Sequence, residues 1–314
     1  PKSLAWSGRS PGKASEREHA TVKKHRKWVV LLMIVAMLAA ACSDDDDDAA
    51  ATSEETTQAP EQSGSATAAE AVVSGNLLDA IKDRGTLRVG MTLQFEPQMY
   101  RDANDQPAGY DVELVTLLAE DLGVELEISD LEFDALIPGL LAGQFDLVSV
   151  GLVGRPARLE QLWFSCPYVP YRQVVVVNND SGITSLDQLD SADVTMTALI
   201  GSTAANLIQT EFPSANLVEL DQAPAFLEVA SGRADAIVVE EYLAIPFVAE
   251  NPSTSILNPD DPFSQEYGAW AVPRGDVVWL EYVNGWLGYY ISNGTLDGLY
   301  TDIIGPTEGL PACN

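Results

Sequence analysis

From Thr86 onward two kinds of apolar run alternate, and that alternation limits the fold more than any other feature of the chain. TLRVGM (86–91), VELEISDLEF (124–133) and FDLVSVG (145–151) are short enough and apolar enough to be strands. Between them, GYDVELVTLLAEDLG (109–123) and DALIPGLLAG (134–143) carry apolar residues at helical spacing. In the first of these, Leu114, Val115, Leu118 and Leu122 make one apolar face. Asp111 is its expected N-cap, Glu113 lies in the first turn and Gly123 is the expected stop. NLLDAIKDRG (76–85) reads as a further short helix, and RDANDQPAGY (101–110) as a turn. Strands alternating with helices give an α/β fold with a mostly parallel, doubly wound sheet, whose ligands sit at the carboxyl ends of the strands.

The stretch from Phe145 to Arg158 reads as a buried strand that stops at Gly151. It then passes through Val153 and Gly154 into a turn carrying Arg155 and Arg158. Cations are scarce in this part of the chain. Residues 1–41 hold eight of the 17 Lys/Arg and two of the 47 Asp/Glu, so nine Lys/Arg face 45 Asp/Glu over residues 42–314, a net charge of −36. Two arginines at a glycine-punctuated strand end therefore read as an anion clamp for the carboxylate of a small ligand. The same charge excludes nucleic acid as a partner, which needs a basic stripe. A salty habitat and plain solubility are both open readings of it. Both histidines, His19 and His25, precede residue 42, so the rest of the chain has no imidazole for a catalytic triad, a Cys-His pair or a zinc site. Carboxylates and the single remaining lysine, Lys82, are the only candidate catalysts, and neither a metal nor a cofactor is expected.

The N-terminal region has a different character. KKHRK (23–27) precedes an apolar run from Trp28 to Ala41 that is too short to span a bilayer comfortably. It ends in LAAAC, which resembles a bacterial lipoprotein signal, although Leu38 stands four residues before Cys42 where the usual pattern has it three before. The resemblance implies cleavage before Cys42 and lipidation of its thiol, with an ordinary cleaved signal or an uncleaved anchor as the alternatives. Residues 1–41 are then a signal peptide, whose start is expected downstream of Pro1. Residues 42–75, with DDDDD followed by Ala, Thr, Ser, Glu and Gln, form an acidic tether unable to build a core. That arrangement holds a folded region, starting near Gly75, outside the cytoplasm on a lipid anchor at the cell membrane.

There is an internal echo. LLAGQFDLVSVG (140–151) and EVASGRADAIVVE (228–240) share a helix end, Gly-x-x-Asp and a buried strand, which puts Gly151 and Glu240 at matching strand ends. GYDVELVTLLAEDL resembles the signature of the family 3 extracellular solute-binding proteins, the amino-acid receptors of ABC importers. TLRVGMTLQFEPQMY, FDALIPGLLAGQFDLVSVGLVGRPARLEQLWFSCPY, IGSTAANL and SGRADAIVVEEYLA follow in family order, covering roughly residues 75–305. This resemblance implies a two-lobed periplasmic-binding-protein fold of type II, two doubly wound α/β lobes joined by a two-segment hinge near Pro170 and Ala271. Residues 76–169 plus 272–314 would be lobe 1 and residues 170–271 lobe 2. It also implies a monomer that captures an amino acid, is not an enzyme, and delivers its ligand to an ABC permease.

The resemblance assigns roles residue by residue. Arg158 pairs with the ligand's α-carboxylate, and Ser202 and Thr203 at a helix start add donors to it. Gly151 presents backbone, Glu240 receives the α-ammonium, and Phe95 and Phe133 sandwich the ligand. Each has a plainer counterpart: Phe133 as core, Glu240 as a surface acid, Ser202 and Thr203 as an N-cap, Arg158 in a salt bridge. Val153 stands where the family often has Ser or Thr. Arg155 stands where Thr is usual, and either replaces the lost donor or points to solvent. Thr92 stands where receptors for basic amino acids carry Asp, which argues for a neutral or polar amino acid, with Glu96 as a compensating acid in the other case. Cys166 and Cys313, the only thiols after Cys42, are expected to pair outside the cytosol. Two other functions remain open on this fold: a dehydratase-like enzyme using Glu240, and the ligand-sensing component of a signalling system.

Overall fold

The structure, a computed structural model, describes residues 75–257, 259–306, 309–310 and 312–313. The expected signal peptide, the lipid acceptor Cys42 and the acidic tether up to Ser74 lie outside the described residues.

Helix α1 (Leu77–Arg84) starts at Asn76, whose side chain accepts the Asp79 N–H, and leads into β1 (Thr86–Met91). A three-stranded ribbon of β2 (Gln94–Phe95), β3 (Met99–Arg101) and β4 (Pro107–Ala108) precedes α2 (Tyr110–Leu122). The apolar face of α2 is buried as its spacing predicts, each fully buried Leu or Val contributing about 1.5–3 kcal/mol. Asp111 is not its N-cap. Gly109 holds that position without a side-chain bond, and Asp111 sits inside the helix with 0% exposure. The chain continues through β5 (Glu125–Asp130), α3 (Phe133–Leu141), β6 (Leu147–Val153) and α4 (Pro156–Leu159). Strand β6 runs two residues beyond the expected stop at Gly151, because a later strand pairs with it as far as Val153.

Strand β7 (Leu162–Asn178) carries the chain into its second half. There β8 (Thr195–Leu199), α5 (Thr203–Glu211), β9 (Asn216–Leu220), α6 (Gln222–Ala230), β10 (Ala236–Glu240), α7 (Glu241–Glu250) and β11 (Thr254–Leu257) follow. Strand β12 (Ser264–Pro273) returns, and α8 (Val277–Ser292) and α9 (Thr295–Ile303) close the fold. The main sheet runs β5-β1-β6-β12-β7-β10-β8-β9, with β11 also on β7. Pairs within each half are parallel, β1 with β5 and β6, β8 with β9 and β10. The two long central strands, β7 and β12, are antiparallel to each other and to their outer neighbours. Pro170 and Ala271, the two expected crossing points, lie within these strands.

The unbroken run of valines in β7 follows from this placement. Val174 and Val176 join the core shared with the first half, while Val175 and Val177 join a separate core under α5. A strand covered on both faces has no polar side to display.

Candidate ligand-binding site

Gly151 and Glu240 come together in space, and the internal echo is physical. Asp146, just before β6, exchanges two backbone-level bonds with Arg88, accepting its N–H through Oδ2 at 2.8 Å and donating its own N–H to the Arg88 carbonyl at 2.9 Å. Asp235, just before β10, does the same with Thr195 at the same two distances. Each aspartate aligns its strand with a parallel neighbour, and the far ends of β6 and β10 face one cavity of about 40 Å³.

Eight of the nine residues expected to meet a ligand line that cavity: Phe95, Phe133, Gly151, Val153, Arg158, Ser202, Thr203 and Glu240. Thr92 does not. It is 1% exposed, and its hydroxyl donates to the Leu131 carbonyl at 2.8 Å, clasping the end of β1 to the chain leaving β5.

Arg158 is 4% exposed and is held by two neutral carbonyls: Nη1 donates to Val153 O at 3.1 Å and Nη2 to Gly201 O at 2.9 Å. Its Nε has no partner. The guanidinium carbon stands 5.9 Å from the centre of the Phe133 ring, a cation–π contact. Burial, and then the neighbouring Arg155, lower its pKa to about 10, so it stays cationic at neutral pH. Arg155 is half-buried, and its Nη2 donates to the same Gly201 carbonyl at 3.1 Å.

Gly151 has φ +61°, and a Cβ there would stand 1.8 Å from the Tyr171 hydroxyl, so both backbone and space demand glycine. Its N–H already donates to the Tyr168 hydroxyl at 2.8 Å. Gly268 on β12 is constrained by space alone, since a Cβ would meet the Gly151 carbonyl at 2.5 Å. Phe95 and Phe133 meet edge to face, 6.5 Å apart at 77°, and do not form parallel walls.

On the other side, Ser202 caps α5 by accepting the Ala205 N–H at 3.1 Å while also lining the cavity, so the plain and functional readings coexist. Glu240 sits at the start of α7, and its Oε1 accepts from Gln173 Nε2 at 3.1 Å. Burial raises the pKa of its carboxyl. Glu266 on β12 is half-buried with its Oε2 unpartnered. Burial and then Glu240 raise its pKa, partly opposed by Arg158 and Arg155.

The sequence reading missed Met99, Tyr171, Gln222 and Tyr242, which also line the cavity. The last of these reaches across it. The Tyr242 hydroxyl donates to Gln98 Oε1 at 2.8 Å, and Gln98 Nε2 donates to Asp111 Oδ2 at 2.6 Å and lies 2.8 Å from the Tyr171 hydroxyl. Asp111 Oδ1 accepts from Ser149, and Ser149 accepts from the Trp270 indole. A local signal existed for Gln222: LDQAP places Asp and Pro around the start of α6, just after a strand, as IGSTAAN places Ser202 at the start of α5.

Two α/β halves crossed by two long strands, with strand ends and helix starts from both halves closing on one cavity, define a periplasmic-binding-protein fold of type II. The chain belongs to the bacterial extracellular solute-binding proteins, family 3, whose family model matches residues 87–306. It is 28% identical to the cyclohexadienyl dehydratase of Pseudomonas aeruginosa over 222 residues, 70% of this chain and 82% of that one. It is 29% identical to the arginine-binding extracellular protein ArtP of Bacillus subtilis over 216 residues, 68% of this chain and 84% of that one. The crystal structure of the ancestral amino acid-binding protein AncCDT-1, a precursor of cyclohexadienyl dehydratase, superposes with a TM-score of 0.66 at 34% identity, covering 73% of this chain and 99% of that one.

Proposed function

We propose that this protein captures a free amino acid between its two lobes and hands it to an ABC permease. In this reading the lobes divide near Pro170 and Ala271, residues 76–169 plus 272–314 against residues 170–271. The observation that carries the reading is one cavity holding a buried cation, Arg158, and an inward-facing acid, Glu240. An α-amino acid presents the complementary pair. Its carboxylate would replace the neutral carbonyls now held by Arg158, a stronger, charge-assisted acceptor for the same fork. Ser202 and Thr203, at the start of α5, add donors and the positive end of the helix. Glu240 takes the ammonium. Lipidation at Cys42 would keep the receptor beside its permease as a monomer at the outer face of the membrane.

A thermal-shift panel of amino acids on the full chain in detergent tests this. At least one amino acid is expected to raise the midpoint of unfolding, and Arg158→Ala is expected to abolish that rise. A rise that survives the substitution sinks the clamp.

The similarity to a dehydratase, together with the burial that raises the pKa of Glu240, favours a second reading: a general acid that protonates a leaving hydroxyl. The two part on one result. A receptor returns its ligand unchanged after incubation, whereas an enzyme returns a dehydrated product.

A further inference from the structure

Gln222 is 6% exposed, lines the cavity and leaves its Nε2 without a hydrogen-bond partner. Buried amide donors are rarely left so, because an unmade bond costs about 1–3 kcal/mol. On the basis of the amino-acid receptor reading, we propose that Gln222 is a specificity-determining residue. Its amide recognises an oxygen acceptor on the ligand's side chain, and the ligand is an α-amino acid with a short, uncharged hydroxyl or carboxamide side chain.

Three observations lead to that class. First, the unpartnered buried side-chain atoms of the lining residues are both donors. Besides Gln222, the Nε of Arg158 is unpartnered, and α5, α6 and α7 all begin at the cavity, presenting N-terminal N–H groups. The lining acid, Glu240, already accepts a bond from Gln173 through Oε1. Second, the charged residues that line the cavity, Arg158 and Glu240, balance without the ligand. Arg158 meets the ligand's carboxylate and Glu240 its ammonium, so a zwitterion with an uncharged side chain adds no unpaired buried charge. Third, the space is small. About 40 Å³ holds only a few waters, and its apolar wall of Phe95, Met99 and Phe133 carries no acid to pair with a cationic side chain.

Isosteric pairs separate oxygen from shape. Binding of L-threonine against L-valine, L-serine against L-alanine, L-asparagine against L-leucine, and L-glutamine against L-methionine is measured by calorimetry on the full chain. The oxygen-bearing member of at least one pair is expected to bind about 10-fold tighter or more. Gln222→Leu is expected to bring that ratio to within about 3-fold, with an unfolding midpoint of the free protein no lower than the parent's as the check on its fold. Gln222→Glu, which keeps the shape and removes the donor, is the second variant and is expected to collapse the ratio likewise. Equal or tighter binding of the apolar members, or a ratio untouched by both variants, overturns the proposal. If only basic or aromatic amino acids bind and Arg158→Ala abolishes that binding, the receptor reading stands and the role of Gln222 falls. If no amino acid binds at all, both fall.

Discussion

Asp111 shows how one residue near the cavity couples fold and pH. It has 0% exposure and is bonded by Gln98 and Ser149, yet the cost of burying its charge outweighs those bonds and raises its pKa from 3.8 to about 6. In the unfolded chain the group ionises at its ordinary value, so between pH 4 and 6 the native state binds more protons than the unfolded one. Stability must therefore fall as pH rises through that window, by about 3 kcal/mol from this group. Asp111→Asn cannot titrate there. Its stability relative to the parent should improve by that amount between pH 4 and pH 7, read from urea unfolding at both values. Parallel behaviour of the two proteins would show that Asp111 is ionised throughout.

At the scale of elements, the chain beyond α9 is secured to the central strands. Cys313 is bonded to Cys166 on β7 with the Cα atoms 5.2 Å apart, and the Leu310 N–H donates to Asp297 at 3.0 Å. Asn284 on α8 braces the same point by accepting the Cys166 N–H at 2.7 Å. The disulfide closes a span of 147 residues, so its loss releases much chain entropy in the unfolded state. Cys313→Ser should lower stability by about 2–4 kcal/mol in chemical denaturation while leaving the ligand-induced thermal shift in place. A loss of that shift with little change in stability would instead tie the C-terminal tail to binding.

For the whole molecule, charge dominates. Residues 75–314 carry 36 Asp/Glu against nine Lys/Arg, and few of the acids are paired. Self-repulsion of this size opposes the compact state and is screened within about 10 Å at 0.1 M salt. The unfolding midpoint should rise between about 0.02 and 0.5 M NaCl. A flat or falling midpoint would mean that the described ion pairs, such as Arg84 and Arg88 on Asp146, outweigh the general repulsion.

The sequence by itself determined the elements and many of the residues that meet at the cavity. Strand and helix periodicities are local, two and about 3.6 residues, so TLRVGM and the apolar face of α2 could be read directly. Gly151, Ser202 and Glu240 were legible because each stands near a strand end or helix start, where an α/β fold must display its ligand groups, and Arg158 because it lies in the short helix that follows β6. Tertiary structure alone decided what each of them touches. Arg158 meets Gly201 across 43 residues and Tyr242 meets Gln98 across 144, and no local period reports contacts at such separations. The same path took Thr92 off the cavity, drew Asp111 from a helix cap into a buried network, and left Gln222 an unpartnered donor lining the site. Whether a polar group is satisfied depends on everything packed around it, and that is settled only when the chain has closed.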